Sequence, residues 1–193
     1  MRIHSAIVIV PVLALALAGC ASEGAAVKAD EMAVSQNAAK SSGTRAPAVV
    51  SPEAHAQAQA WLNAAVLPPG AVAADGSVTT FSSFTSWPCG PVEELEGFWE
   101  VPGLTVSEAT NWRREIPTAD LISTSVAPVP DDQEYDAATV GYIPEHDAQE
   151  GIVFTVQRMA DGVAVRAEVA AQTPEALCPA LPDGARYGAP GQG

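Results

Sequence analysis

Positive charge is scarce in this chain. Its 193 residues carry 9 Lys and Arg against 23 Asp and Glu, a formal net charge of -14, and only Arg113 and Arg114 are adjacent. Binding a phosphate backbone requires clustered cations, so nucleic acid is excluded as a partner. The same charge repels an anionic lipid surface, and any membrane contact must come from outside the folded surface. Aromatic residues are few, at 6%, and there are 16 prolines. The Val, Ile, Leu and Trp content of the second half still supports one compact domain of roughly 100 to 130 residues. No phosphate-cradling glycine loop, G-x-S-x-G, H-E-x-x-H or EF-hand spacing occurs, so no cofactor is implied. Long apolar runs are missing too. The longest, Ala6 to Leu17, falls short of the roughly 20 residues that span a bilayer core.

That run follows a short polar start, Arg2 to His4, and leads into Leu17-Ala18-Gly19-Cys20. The arrangement reads as a secretory signal, residues 1–19, removed from the mature protein. The last four residues resemble the lipobox of bacterial lipoproteins. The resemblance implies cleavage just before Cys20, acylation of its thiol, and a mature chain held on the outer face of the cell membrane by lipid. Two or more acyl chains anchor stably where one is marginal, at about 0.8 kcal/mol per buried methylene. No Arg-Arg pair precedes the run, which favours export by the general secretory route.

Residues 20–50 are rich in Ala, Ser, Gly and isolated charges and contain no aromatic residue. They read as a flexible tether reaching about 30 Å on root-mean-square length; a frayed helix across Ala25 to Ala39 is the alternative. With Cys20 assigned to lipid, Cys89 and Cys178 remain, facing an oxidising compartment, and a disulfide is expected. A catalytic thiolate at Cys89 would need a base partner or a C-x-x-C context, neither of which the sequence supplies.

Residues 51–193 read as a single extracytoplasmic α+β domain. Ser51-Pro52-Glu53 is a helix start: a capping hydroxyl, a proline in the first turn and an acid near the positive end of the dipole. Ala54, Ala58, Trp61, Leu62 and Ala65 share a face of a helix expected over Pro52 to Val66, ended by Leu67-Pro68-Pro69-Gly70. Thr105-Val106-Ser107-Glu108 has the form of a capping box, opening a helix with Val106, Ala109, Trp112 and Ile116 inward. Strands are expected at Val78 to Phe84, Val92 to Val101, Leu121 to Val126, Ala138 to Ile143, Gly151 to Met159 and Val163 to Ala171. Asp161-Gly162 reads as the two-residue turn of a final hairpin. That turn would set Val163, Val165, Ala167 and Val169 opposite Ala160, Arg158, Val156 and Phe154 on an apolar face, with Arg158 the one misfit. Thr155, Gln157, Arg166 and Glu168 would face water. The expected architecture is a small antiparallel sheet with two short helices on one face.

With Trp87-Pro88-Cys89-Gly90-Pro91, Phe98-Trp99-Glu100-Val101-Pro102-Gly103 and the final hairpin, this region resembles uncharacterised exported proteins of actinobacteria. That resemblance implies no activity. His55 reads as a structural or exposed side chain beside an apolar helix face. His146, Asp147 and Glu150 read as a solvated loop, since zinc wants a fuller shell of nitrogen or sulfur ligands. Asp131, Asp132, Glu134 and Asp136 read as an acidic turn lacking the spacing of a calcium loop, so no metal is assigned. Glu93, Glu94, Glu96 and Glu100 are the pattern a glycosidase could use. In a strand, however, Glu94, Glu96 and Glu100 fall on the face opposite Leu95 and Trp99, which makes them a solvent face. The expectation is a lipid-anchored envelope protein with a non-enzymatic binding role and a protein or cell-wall partner. An extracytoplasmic hydrolase and a small-ligand carrier are the alternatives.

Overall fold

The computed structural model describes residues 51–80, 83–118 and 120–192. The expected signal segment, Cys20 and the tether lie outside the described residues. Helix α1 spans Pro52–Asn63, with the Ser51 hydroxyl accepting the Ala54 N–H at 3.3 Å. It ends three residues before the expected Val66, because Pro68 and Pro69 push the residues ahead of them out of the helical region. Helix α2 spans Val106–Glu115, and its capping box is formed in both directions between Thr105 and Glu108.

Among the described residues six strands follow the order β1-β2-β6-β5-β4-β3, every pair antiparallel. They are β1 Val72–Ala74, β2 Gly90–Pro102, β3 Ile122–Ser123, β4 Ala137–Ile143, β5 Gly151–Met159 and β6 Gly162–Leu177. The class is α+β, as expected. β3 to β6 form a meander, and the last strand inserts beside β2, so the longest strands lie at the centre. One face carries Val101, Val140, Tyr142, Ile152, Phe154, Val156, Val163, Val165, Ala167 and Val169 into a single core with Ala54, Ala58 and Trp61 of α1 and Val106 and Ala109 of α2. Both helices therefore cover the same side.

Four expectations need correction. The hairpin register places Val156 opposite Val165 and Phe154 opposite Ala167, with Met159 opposite Gly162. The turn is thus Ala160-Asp161, and the pairing is shifted by two. A slip of two preserves the side-chain faces, so the apolar side was still identified. Gly162 is a strand residue because Pro102 runs against it: a Cβ there would meet the Val101 carbonyl oxygen at 2.3 Å.

Second, α2 turns Val106, Ala109, Thr110 and Arg113 inward, while Trp112 is half-buried and Ile116 exposed. Seven residues at 100° each return close to the starting azimuth, whereas six overshoot the face. Third, the span 78–84 forms no strand among its described residues; the short strand β1 lies earlier, before a 3-10 turn at Gly76–Val78.

The fourth concerns the sheet face away from the helices, which is not wet around β5 and β6. Thr155, Gln157 and Glu168 are buried there. Two irregular segments cover them. Residues 79–80 and 83–88 form a strap: Thr80 is bound by Gln157 through both its N–H and its hydroxyl, and the Thr85 hydroxyl donates to Glu168 at 2.9 Å. The carboxy-terminal tail covers β4, with the Pro190 and Gly191 carbonyls accepting from Thr124 and Thr139 at 2.9 and 2.8 Å. A Cβ on Gly141 would stand 2.1 Å from the Pro190 oxygen, so the tail is seated against bare backbone.

The capping box makes a measurable prediction. Thr105→Ala removes the hydroxyl that accepts the Glu108 N–H and is expected to cost about 1 kcal/mol in denaturant unfolding. Hydrogen bonds from the Thr105 backbone and hydroxyl hold the Glu108 carboxyl below its usual pKa of 4.5. A depressed folded pKa means that this contribution is present above the unfolded value and is lost as pH falls through the folded one. The Thr105→Ala deficit should therefore be constant near neutrality and shrink in acid.

Candidate functional site

A concavity of about 640 Å³ lies at the turn end of the β5–β6 hairpin. Three segments wall it: the entry to α2 (Gly103 to Ser107), the acidic loop (Asp131 to Tyr135) and the hairpin turn (Arg158 to Gly162). Leu104, Val106, Tyr135, Met159 and Ala160 contribute apolar lining; Asp131, Asp132, Glu134 and Asp161 contribute carboxylates. The walls are tied together. The Gly103 N–H donates to the Asp161 carbonyl at 2.9 Å, joining the entry of α2 to the hairpin. Asn111 donates to the Val129 carbonyl and accepts the Val129 N–H, both at 2.8 Å, and the Ser107 hydroxyl donates to the Pro130 carbonyl at 2.9 Å. These bonds fix the acidic loop against α2.

Arg158 is the one cation in the lining, and it is already engaged. Its guanidinium bonds Asp136 and, at 2.8 Å, Glu134, which together push its pKa up, with the Asp136 hydrogen bond the largest cause. It is 47% exposed, so the misfit in the apolar alternation is resolved by leaning into the acidic loop. Among the described residues no cation pairs with Asp131 or Asp132, although Asp131 accepts from the Asn111 amide at 3.5 Å, and the lining joins carboxylates to apolar side chains. Such a surface complements a basic, partly apolar segment.

The remaining candidates separate. Glu93 lies on the helix face of β2, accepting the Ser51 N–H at 3.2 Å and standing 3.5 Å from His55 Nδ1. It fastens the start of α1, which makes His55 a partly exposed structural partner. Glu94, Glu96 and Glu100 point to the other face and are exposed, as expected. Glu96 nevertheless has a partner that the sequence reading missed: Arg166, at 2.5 Å from Glu96 and 3.3 Å from Glu168. The Arg166 guanidinium also lies 5.7 Å from the Phe98 ring centroid. Arg166 sits directly beside Phe98 in the β2–β6 register, a neighbour relation invisible until the pairing is known. His146 is exposed in the β4–β5 connection, whereas the Glu150 carboxylate turns away to accept the Gln172 N–H at 2.6 Å. Among the described residues no group of three or more His, Cys, Asp or Glu is placed to hold a metal.

Cys89 and Cys178 form the disulfide. It extends the ladder of β2 and β6 by one rung beyond Gly90 and Leu177. Among the described residues no helix is long and apolar enough to cross a membrane. Comparison with protein-family models, curated proteins and solved structures finds no match.

Proposed function

We propose that the chain is an exported lipoprotein, held at the outer face of the membrane by lipid on Cys20, and that its folded domain is a binding module rather than an enzyme. The partner is a protein that presents a basic, partly apolar segment to the groove between α2, the acidic loop and the β5–β6 turn. The groove carries this reading: apolar lining, the carboxylates of Asp131 and Asp132 with no cation beside them among the described residues, and walls braced by Asn111 and Ser107. The lipobox and the disulfide support the compartment, since such bonds persist where the medium is oxidising.

One experiment on the detergent-solubilised full chain tests both halves. Palmitate labelling is expected in the parent and lost in Cys20→Ser; continued labelling of the variant ends the lipoprotein reading. On the same material, a lysine- and leucine-rich peptide at 100 times its dissociation constant should add about 2.7 kcal/mol. That is a rise of several degrees in Tm, and it should be abolished by Asp131→Asn with Asp132→Asn. A flat response to the peptide would overturn the groove as the docking site.

A further inference from the structure

The two halves of the disulfide sit in unlike surroundings. Cys89 is 2% exposed, sealed in just ahead of β2. Cys178 is exposed, and it lines a hollow of about 650 Å³ whose walls include Asp183, Arg186 and Tyr187. Thiol–disulfide exchange begins with a thiolate that reaches one of the two sulfurs, and access decides which one it attacks. From solvent, the Cys178 side of this bond is open and the Cys89 side is closed.

The bond also holds a joint that the sheet barely holds. Val92 pairs with Gln172 and Gly90 with Leu177, so Pro91 on β2 stands against Thr173 to Ala176 on β6. Among the described residues, the end of β6 beyond Gln172 is therefore tied to β2 by one rung and the disulfide. Pro88, Pro91, Pro174 and Pro179 crowd this corner, and none of them has an N–H to donate to a replacement ladder. Strap and tail depart from this joint. The strap is fastened to the sheet by bonds from Thr80 and Thr85 to Gln157 and Glu168, and the tail by bonds from Thr124 and Thr139 to Pro190 and Gly191. Each of these involves a side chain, and water can replace each one.

We propose that Cys178 is a thiol-exchange site attacked by an external dithiol, with Cys89 as its buried resolving thiol. The incoming thiolate forms a bond to Cys178 Sγ as the Cys89–Cys178 bond breaks, and the electron pair leaves on Cys89 Sγ, which takes a proton from water. The second thiolate of the dithiol then attacks its own sulfur in the mixed disulfide and expels Cys178 as a thiolate. The dithiol is oxidised by two electrons to its disulfide, and the cysteine pair is reduced by two. Closure is the reverse of the first step: the Cys89 thiolate attacks Cys178 Sγ and expels the partner's sulfur. With the bond open, strap and tail keep only their hydrogen bonds, which places the second face of the sheet under redox control. Neither lipid on Cys20 nor the acidic groove enters this chemistry, so exchange stands or falls independently of both.

The test uses the full chain in detergent near neutral pH, exposed to reduced glutathione, quenched in denaturant with an alkylating agent and mapped by peptide mass. Cys20 falls on a separate tryptic peptide, since Lys28 and Lys40 follow it. Glutathione is expected on Cys178 and the alkyl group on Cys89, in about tenfold excess over the opposite arrangement. Equal or inverted labelling would overturn the proposal. Cys89→Ser and Cys178→Ser provide a matched pair, because both lack the same bond and each keeps one cysteine of the two. With oxidised glutathione, Cys178 in the first variant should react about tenfold faster than Cys89 in the second, and denaturant should bring the two rates together. Equal rates without denaturant would overturn the proposal, as would reduction of the parent that proceeds only as fast as global unfolding.

Discussion

Replacing Arg113 by alanine is expected to cost about 3 to 5 kcal/mol, a large part of the 5 to 15 kcal/mol that keeps a domain folded. Arg113 is fully buried, yet among the described residues no carboxylate pairs with it. Its guanidinium donates to the Val66 carbonyl and, at 3.0 Å, to the Thr118 hydroxyl, and it lies 4.1 Å from the Phe154 centroid and 5.1 Å from that of Tyr142. The Tyr142 hydroxyl in turn donates to the Arg113 carbonyl. One side chain thus pins the exit of α1, the exit of α2 and the core of the sheet. Truncation opens a cavity the size of the side chain and strands the buried Thr118 hydroxyl.

The charge itself works against the fold. Burial pulls the Arg113 pKa below its usual value, which means that the native state disfavours the protonated form. The stabilisation comes chiefly from the volume that fills the joint and its contact with the rings. Arg113→Met, which keeps most of the volume and removes the charge, should therefore fall within about 1.5 kcal/mol of the parent. The native state binds fewer protons only as pH climbs toward the lowered pKa, so stability rises with pH there and the alanine deficit is flat around neutrality. Denaturant unfolding at constant m-value measures both variants. A methionine variant as unstable as alanine would mean that the cation, not the packing, holds the joint.

The second large effect is expected from the disulfide. Replacing Cys89 and Cys178 by serine should cost on the order of 4 to 5 kcal/mol by the chain-entropy relation for a separation of 89 residues. That corresponds to a fall in Tm of about 10 °C or more. The loss should also be uneven across the molecule. The strap ends at Pro88, immediately before Cys89, and the tail begins at Pro179, immediately after Cys178, so both covers of the second sheet face are rooted at one bond. Hydrogen exchange in the reduced protein should rise first at Thr155, Gln157 and Glu168, while the amides of Phe154 and Val156, which share a strand but turn their side chains to the helix face, gain less. Equal exposure of both sets would show that strap and tail hold without their common root.

Much of the fold was legible in local chemistry. Both helix starts announce themselves through Ser51-Pro52-Glu53 and Thr105 with Glu108, because capping residues act within three positions of one another. The faces of β5 and β6 follow from strict alternation. What stayed hidden depends on partners distant in sequence. Arg113 carries no local sign of burial, because Phe154, the ring beneath it, lies 41 positions on. Thr155, Gln157 and Glu168 alternate as a wetted face should, since irregular segments such as 83–88 and 187–192 leave no periodic trace of where they will lie. The candidate site was half-visible: the acidic run at Asp131 to Asp136 stood out, but its neighbours Leu104 and Met159 are ordinary apolar residues until the hairpin turn brings them alongside.

The strand lengths also set how copies of this domain meet one another. The outermost strands, β1 and β3, are three and two residues long, and β1 pairs only with Phe98 to Glu100 of β2. The rest of that border runs through Glu93, Glu94 and Glu96, so a second molecule that tried to continue the sheet would set like charges face to face with little ladder to compensate. Crowded side by side, these domains should remain separate particles instead of growing into fibres.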